Sequence, residues 1–452
     1  MKKALKFLTG RLFITSLLII IQLAILFVMV YYLSTYSIYV YGALVILSLF
    51  FVILIVGDDS NPTFKVAWII PIMTIPFFGC LLYIIFGRRK VTNKTKERYF
   101  KIYVSTKDII PQDKTIYNQL ESENENVIRQ FNYIKKSAQG NLFVNTSTEY
   151  FPTGEEFYDI YKEELKKAQK FIFMEYFIVS EGKMLSEILD ILAEKVKEGV
   201  DVRLMFDDLG TINILDKKYQ KYIRSLGIKI SIFNPFKPSL DVFMNYRDHR
   251  KITVIDGNVG FSGGVNIADE YINSIKRFGY WKDCAIMIKG DAVSKLTVMF
   301  LQLWYYSTYE EKFEFKQYFS TEKYPTDGYV VPFGDGPMNG HLVGELSYIG
   351  IINNAKKYVY ITTPYLVLDN EMITALKLAD QSGVDVRIIT PHIPDKWYVH
   401  MVTRSNYPAL VYSGVRIFEY ESGFIHQKTI VADDEIAIVG TTNFDFRSFY
   451  LH

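Results

Sequence analysis

Two stretches of the sequence carry the same spaced set of reactive side chains. The first, HRKITVIDGNVGFSGGVN, begins at His249, and the second, HQKTIVADDEIAIVGTTN, begins at His426. In each, a Lys follows the His by two residues, an Asp by seven and an Asn by seventeen. Two matching sets in one chain indicate a site built from two equivalent halves. The residues are His249, Lys251, Asp256 and Asn266 in the first stretch, and His426, Lys428, Asp433 and Asn443 in the second.

The spacing predicts a different task for each residue type. A His and a Lys two residues apart on a strand point to the same side, so both are expected to face one site. Each Asp follows an apolar run near a turn, where it is better placed to hold loop backbone than to contact a substrate. The Asn adds an amide donor, and the glycines before it allow a close backbone approach to a ligand. Gly264 and Thr441 therefore join the two asparagines in the predicted binding set.

Two such halves facing each other would present two imidazoles, two ammonium groups and two amides. This combination suits one tetrahedral anion, and phosphate is the obvious candidate. Lys and Asn would stabilise the negative charge of a transition state without a metal ion. One His could attack phosphorus while the other protonates the leaving alkoxide, and the roles would reverse with an incoming alcohol.

The composition excludes several other kinds of site. The chain has only two cysteines, and its six histidines form no HExxH-like cluster, so we expect no metal, no cofactor and no disulfide framework. The 51 basic and 49 acidic residues balance to a net charge of +2, which gives no sign of a nucleic-acid partner.

The elements around the motifs are also repeated. KKAQKFIFMEYFIV from Lys166 and NNAKKYVYITTPYLV from Asn353 are typical of buried strands. Each is followed by an apolar segment of helical period and then by GVDVR, at Gly199 and Gly383. This β-α-β order predicts an α/β fold of two duplicated lobes, each with a mixed, largely parallel sheet flanked by helices.

Three apolar runs precede the repeats, at residues 12–33, 38–56 and 66–86. Each is about 20 residues long, enough to cross a bilayer core of roughly 30 Å as a helix. The third contains two prolines and a glycine and is either kinked or re-entrant, so two or three crossings remain open. Basic residues also precede the first run, but the denser basic cluster at 87–101 places the lobes on the cytoplasmic side of a multi-pass cell-membrane protein. The cluster either binds anionic lipid or serves only as a topology signal.

The resulting domain prediction has four parts. They are an N-terminal transmembrane module at 1–87, a basic and charged linker at 88–140, a first lobe at 141–315 and a second lobe at 328–452.

At the two motifs the chain resembles the phospholipase D superfamily, whose signature is a duplicated His-x-Lys-x4-Asp, and most closely the bacterial cardiolipin synthases. The resemblance extends from the second apolar run to the last residue. It includes Asn61 to Gly87, which is similar to the family's N-terminal membrane module. The family joins two phosphatidylglycerol molecules into cardiolipin and glycerol through a phosphatidyl-histidine, without a metal.

The resemblance implies a role for each motif residue. His249 would be the nucleophile and His426 the general acid and base, while Asp256 and Asp433 would be structural. Lys251, Lys428, Asn266 and Asn443 would bind phosphate. The implied partners are phosphatidylglycerol and anionic membrane lipid, and the oligomeric state stays open.

The family also has an acidic residue after each motif that orients its His. Asp283 in YWKDC is the candidate for the first His, His249. The counterpart for His426 would fall just past His452, so we expect the native chain to continue there. Asp248 is a departure, since family members often have Asn or Gln at this position. It either contacts Arg247 or Arg250 or raises the pKa of His249.

Two alternatives to cardiolipin synthesis remain. The first is another enzyme of the superfamily, namely a phospholipase D-type hydrolase, a phosphatidylserine synthase-like transferase or a phosphodiester nuclease. The membrane anchor and the lack of a basic groove disfavour a nuclease. The second is a lipid-binding scaffold without catalysis, which the intact pairs of His, Lys and Asn disfavour.

Overall fold

The computed structural model describes Leu17 and residues 20–28, 37–58, 61–87, 93–211, 214–235, 247–336 and 342–451. Contacts within the chain define two compact units. Residues 37–58 and 61–87 lie in the first unit, and both copies of the repeat lie in the second.

The N-terminal unit contains one helix, α1 (Ser37–Val56), that is long and apolar enough to cross a membrane among the described residues. The run predicted at 66–86 does not form one continuous helix. It is divided into α2 (Pro62–Thr74), α3 (Pro76–Leu82) and a π-helical turn, Tyr83–Gly87. Residues 20–28 of the predicted first run are helical, and the rest of that run, apart from Leu17, lies outside the described residues.

Proline chemistry explains the break between α2 and α3. A proline disfavours the helical conformation of the residue before it, and Ile75, which precedes Pro76, has φ −134° and ψ 77°. Gly79 then lets α3 pack closely on α2, since a Cβ there would lie 2.4 Å from the carbonyl oxygen of Pro71. The kink expected in this run is therefore present.

The segment predicted as a basic and charged linker, residues 88–140, is largely helical where the structure describes it. It contains α4 (Asn93–Ser105), α5 (Lys114–Glu123) and α6 (Glu125–Ala138). Apolar residues recur every third position among the charges of α6, at Ile128, Phe131 and Ile134, and they are buried. The α6 helix packs on the second lobe, where the side-chain amide of Gln130 donates to the carbonyl oxygen of Ser347 (3.0 Å).

The first lobe is built on a seven-stranded sheet of order β1-β8-β6-β5-β2-β3-β4. Its strands, with β7 outside the sheet, are β1 (Thr146–Phe151), β2 (Phe171–Tyr176), β3 (Asp201–Asp207), β4 (Lys229–Phe233), β5 (Ile252–Ile255), β6 (Val259–Gly263), β7 (Tyr280–Lys282) and β8 (Ala285–Gly290). Its helices are α7 (Gly154–Lys166), α8 (Lys183–Lys197), α9 (Asp208–Thr211), α10 (Lys217–Ser225) and α11 (Val293–Thr308), with 3₁₀ turns at Asp269–Ile272 and Lys316–Tyr318.

The second lobe repeats this plan with a five-stranded sheet of order β12-β11-β9-β14-β15. The strands of this lobe are β9 (Tyr358–Thr362), β10 (Leu366–Val367), β11 (Asp385–Pro391), β12 (Arg416–Tyr420), β13 (Gly423–Ile425), β14 (Thr429–Ala432), β15 (Ile436–Val439) and β16 (Phe444–Asp445). Its helices are α12 (Val343–Asn354), α13 (Asn370–Gln381), α14 (Trp397–Ser405), α15 (Tyr407–Val411) and α16 (Phe446–Leu451).

The predicted β-α-β units are present in both lobes. Strands β2, β3 and β4 pair in parallel, and so do β9, β11 and β12. The remaining neighbours in the two sheets pair antiparallel, because a hairpin after each His motif turns the chain back. The two main sheets are thus mixed, as predicted, and within each of them parallel pairing is limited to three strands.

The Asp of each motif lies in the hairpin turn after the motif strand. Asp256 follows β5 and binds the backbone at the start of β2, and Asp433 follows β14 and binds the backbone at the start of β9. Asp256 and Asp433 both have positive φ, 51° and 57°. Their carboxylates each accept three backbone N–H groups, as predicted for residues that hold loop backbone. The donors are Gln169 (2.7 Å), Lys170 (2.7 Å) and Phe171 (2.8 Å) for Asp256, and Lys356 (2.6 Å), Lys357 (2.8 Å) and Tyr358 (2.9 Å) for Asp433.

Asp256→Ala should destabilise the first lobe by about 2–4 kcal/mol, because three amides lose a charged acceptor and alanine is disfavoured at positive φ. Asp256→Asn should cost less, since Asn keeps one acceptor oxygen and tolerates this conformation. Urea unfolding of the purified protein measures the difference.

Asp159→Ala is the matched control for this prediction, because Asp159 is an exposed helical carboxylate paired with Lys162 at 3.6 Å. It should change stability by less than about 0.5 kcal/mol. Equal losses for Asp159→Ala and Asp256→Ala would contradict the role of Asp256.

Candidate active site

The two motifs meet where the lobes are joined. Strand β13, which leads into the second motif, pairs in parallel with β7 of the first lobe, with Phe424 opposite Trp281. The N–H of His426 donates to the carbonyl oxygen of Lys282 (2.7 Å). From the other side, His249 Nδ1 lies 3.1 Å from the carbonyl oxygen of Thr441 in the second lobe. Each predicted catalytic His therefore contacts the opposite lobe.

Asp283 lies against His426, which corrects the predicted pairing. Its Oδ2 is 2.7 Å from His426 Nδ1, and its other oxygen accepts the N–H of Cys284 (2.8 Å). The sequence predicts Asp283 as the partner of His249 and a partner for His426 beyond His452. Both parts of that prediction are wrong because β7 leaves the main sheet of its own lobe, pairs with β13 and brings Asp283 to the second motif.

These contacts define which nitrogen of each ring carries the proton in the neutral state. A carbonyl oxygen can only accept, so His249 Nδ1 is the donor to Thr441. The carboxylate of Asp283 likewise takes its hydrogen bond from His426 Nδ1. In both neutral rings Nε2 then carries a lone pair, which is the form that a nucleophile or a general base needs.

Burial makes His426 a weak base in the ligand-free protein. The side chain is 7% exposed. Burial, followed by the nearby Lys428 ammonium, lowers the pKa of His426 to about 4, although Asp283 acts in the opposite direction.

The two motif lysines lie under the site, buried and close enough to repel each other. Lys251 and Lys428 are 1% and 0% exposed, and each Nζ donates to the carbonyl oxygen of its own motif His. Burial lowers the pKa of Lys251 well below its usual value, and the charge of Lys428 lowers it further. Burial also lowers the pKa of Lys428, to about 8. An anion bound between these ammonium groups would stabilise both in their charged form.

The predicted binding asparagines are buried and occupy matching places. Asn266 accepts the N–H of Ile178 (3.0 Å) and donates to the hydroxyl of Tyr271 (2.7 Å). Asn443 donates to the hydroxyl of Ser448 (3.0 Å). Tyr271 was missed by the sequence analysis, although it follows its Asn by five residues, as Ser448 does. Its ring centroid lies 5.5 Å from that of His426.

Gly264 and Thr441, predicted to bind substrate, lie against Asp283 and His249, respectively. A Cβ at Gly264 would lie 2.0 Å from Asp283 Oδ1, so the glycine makes room for the carboxylate. Thr441 presents its carbonyl oxygen to His249 Nδ1. Both positions therefore affect how a histidine is oriented.

A group of buried charges lies next to the first motif. Asp248 accepts the N–H of Arg250 (3.1 Å), so of the predicted options it contacts Arg250. Arg250 lies 4.0 Å from the fully buried Glu175 of β2, and Arg247 lies 3.5 Å from Asp207. Burial raises the pKa of both Glu175 and Asp248, and the nearby Arg250 acts in the opposite direction on each.

A cavity of about 440 Å³ opens between the lobes and is lined by His249. The cavity wall is mostly apolar and comes from both lobes, including Ile286 and Ile288 of β8 and Ile438 and Val439 of β15. His249 thus forms part of the cavity wall, with its ring centroid 4.9 Å from that of Phe177.

The two-lobed fold and the facing His-Lys pairs define an enzyme of the phospholipase D superfamily. Residues 161–304 and 348–452 match the family described as cardiolipin synthase, PLD-like domain, and residues 43–88 match the phospholipase D-nuclease N-terminal family. The chain belongs to the cardiolipin synthase family of phospholipid phosphatidyltransferases.

Relatives match over most of their length. A cardiolipin synthase of Alkalihalophilus pseudofirmus is 37% identical over 421 residues, covering 90% of this chain and 81% of that protein. Cardiolipin synthase 2 of Bacillus anthracis is 36% identical, covering 87% and 77%. An uncharacterized protein of Streptococcus mutans is 42% identical, covering 89% and 87%. Among solved structures, a phosphatidylserine synthase of Haemophilus influenzae Rd KW20 shares the fold, with a TM-score of 0.52 at 15% identity, over 73% of this chain and 85% of that one.

Gly264→Ala should reduce kcat by about 10²–10³-fold, because the added methyl displaces Asp283 and leaves His426 poorly oriented. The KM for lipid should change little, since the contact at Gly264 is with Asp283. Steady-state turnover of phospholipid vesicles measures both constants.

Gly42→Ala is the control, since a Cβ at Gly42 would have no neighbour within 4 Å. Turnover by this variant should match that of the unmodified protein. A raised KM with unchanged kcat for Gly264→Ala would instead support the predicted role of Gly264 in substrate binding.

Proposed function

We propose that the protein joins two phosphatidylglycerol molecules into cardiolipin and glycerol through a phosphatidyl-histidine intermediate. The observation that supports this most is the pair of imidazoles, each with Nδ1 donating to an oxygen, which places the lone pair of the neutral ring on Nε2. The buried lysines beneath them favour a phosphodiester anion. The family of the chain supplies the lipid substrate class.

In the first half-reaction His249 Nε2 attacks the phosphorus of one phosphatidylglycerol. Binding of the lipid phosphate favours the imidazolium form of His426, which takes up a proton from solvent on Nε2. The bond from phosphorus to the headgroup oxygen breaks, and His426 Nε2–H gives this proton to that oxygen as glycerol leaves. Two contrasts support this division of roles. His249 has a neutral carbonyl partner and faces the cavity, whereas the Asp283 carboxylate stabilises the protonated form of His426, as a proton donor requires.

In the second half-reaction a headgroup hydroxyl of another phosphatidylglycerol attacks the phosphatidyl-histidine. His426 takes the hydroxyl proton, the phosphorus–nitrogen bond breaks and cardiolipin is released. One phosphodiester replaces another, so no external energy source is needed. Lys251 and Lys428, with Asn266 and Asn443, stabilise the phosphoryl oxygens in both steps, and the residues provide this charge without a metal.

The same proposal places the protein in the cell membrane. The α1 helix supplies a span of 19 apolar residues, Ile38–Val56. The basic cluster at 87–101 favours a cytoplasmic position for the lobes.

The purified protein should release glycerol from phosphatidylglycerol vesicles and form cardiolipin, with rates unaffected by EDTA. His249→Ala and His426→Ala should each lower the rate by at least about 10³-fold, because each removes a group that forms or breaks a bond. Enzymatic glycerol detection and lipid chromatography measure the two products.

His392→Ala is the control, since His392 lies on the surface with its Nδ1 2.8 Å from Glu419 Oε2. It should keep full activity. Free phosphatidic acid in place of cardiolipin would show a hydrolase, and glycerol release that persists in both His variants would exclude the mechanism.

Binding of a tetrahedral oxyanion should add a proton to His426. The pKa of about 4 in the free protein means that His426 is neutral at pH 6. An anion against Nε2 favours the charged ring and raises this pKa. Histidine ¹⁵N NMR at pH 6, with and without tungstate, should show one ring becoming an imidazolium, and His426→Gln should remove that signal. A neutral His426 at saturating tungstate would contradict its role as the acid.

A further inference from the structure

The outer face of α14 in the second lobe is apolar. Trp397, Tyr398, Met401 and Val402 are 71%, 55%, 62% and 45% exposed. The opposite face packs inward through Thr403, which is 1% exposed and whose hydroxyl accepts the N–H of Leu366 (3.2 Å).

This arrangement reverses the usual pattern of a surface helix, in which the apolar stripe faces the core. Positions 397, 398, 401 and 402 fall on one arc of the helix, so their side chains form a continuous patch. Exposed apolar patches of this kind mark a surface that binds a partner or a membrane. The other large exposed side chain of α14, Arg404, lies beside the patch.

The chemistry of the patch favours a bilayer with anionic headgroups. Trp and Tyr are the residues enriched at the boundary between lipid and water, and Met and Val suit the acyl region below it. The helix has no acidic residue, while Lys396 precedes it and Arg404 lies in its last turn. Arg404 pairs with Glu419 (2.8 Å), and Lys396 lies 3.5 Å from Asp395. The side chain of Lys396 is 51% exposed, so its ammonium group also reaches the surface at the start of the helix.

The start of α14 is connected to the active site by direct contacts. Asp395 accepts a hydrogen bond from the hydroxyl of Tyr365 (2.6 Å). The ring of Tyr365 lies 6.3 Å from that of Phe424, which lies 5.9 Å from the ring of His426. The charge of Asp395 also raises the pKa of Lys428. A chain of side-chain contacts through Asp395, Tyr365 and Phe424 therefore links the start of the patch to His426.

We propose that α14 lies in the headgroup layer of an anionic bilayer, with Trp397, Tyr398, Met401 and Val402 inserted, so that the site opens onto the surface that holds its substrate. The choice of a lipid surface rests on the proposed function. The contact itself is independent of turnover, which allows the two to be tested separately.

Tryptophan fluorescence tests the contact without catalysis. The chain has four tryptophans, of which Trp281 and Trp304 are buried, so Trp68→Phe in the full-length protein leaves Trp397 as the exposed one. In phosphatidylglycerol vesicles with brominated acyl chains, Trp397 should be quenched. Subtracting the fluorescence of the Trp68→Phe/Trp397→Phe double variant from that of Trp68→Phe gives the fluorescence of Trp397. A Trp397 signal that bromolipid leaves unchanged and aqueous acrylamide quenches would overturn the proposal.

A charged residue in the patch should reduce turnover of phosphatidylglycerol in vesicles without affecting turnover of the monomeric lipid. Met401→Glu should raise the apparent KM for phosphatidylglycerol in vesicles by about tenfold, the effect of losing roughly 1.4 kcal/mol of insertion. Turnover of monomeric short-chain phosphatidylglycerol should be unchanged. Leu378→Glu is the matched control, because Leu378 is a single exposed apolar residue, 59% exposed, on α13. An equal rise in KM for the control, or an equal loss on the monomeric substrate, would contradict the proposal.

The two proposals fail in different ways. Absence of glycerol release with bromolipid quenching intact would reject the phosphatidylglycerol reaction and keep the membrane contact. Normal cardiolipin formation with an unquenched Trp397 would reject the contact alone.

Discussion

The short parallel pairing of β7 with β13 is the contact on which the rest of the site depends. It joins one strand from each lobe, and at its end Asp283 meets His426. A fully buried carboxylate is costly unless it is paired and hydrogen-bonded, so this geometry is strongly determined. Gly264 belongs to the same arrangement, because only a residue without a side chain leaves space for the carboxylate. The orientation of one catalytic ring is thus a property of the interface between the lobes.

The halves of the site are related by duplication but are not equivalent electrostatically. The first lobe has Glu175, Asp248 and Arg250 around its motif, and the strand register places Thr362, Ile425 and Gln427 at the corresponding positions of the second. Conversely, a carboxylate holds His426, whereas a backbone carbonyl holds His249. In a symmetric site either ring could serve equally well as the nucleophile or as the proton donor. These differences provide a physical basis for dividing the roles.

Much of this organisation could be predicted from the sequence, because its determinants are local. The two motifs, the β-α-β order and the backbone-holding role of Asp256 and Asp433 follow from spacing, hydrophobic period and turn position. The partner of Asp283 could not be predicted from the sequence. It depends on β7 pairing with β13 of the other lobe, and contacts between segments so far apart in the chain leave no local pattern. The helices at 93–138 were not predicted, because their many charged residues are typical of a solvated segment. Their apolar residues form a stripe whose burial depends on packing against the lobes.

The bond between Asp283 and His426 also has a consequence for the order of folding, since it joins residues 143 positions apart. A chain made from its N-terminus can form the first sheet before β13 exists, and contacts between distant segments form late. During that interval Asp283 has no imidazole to hold, and we expect β7 to become ordered only when the second lobe arrives. The pairing of Asp283 with His426 is therefore completed only when the second lobe folds onto the first.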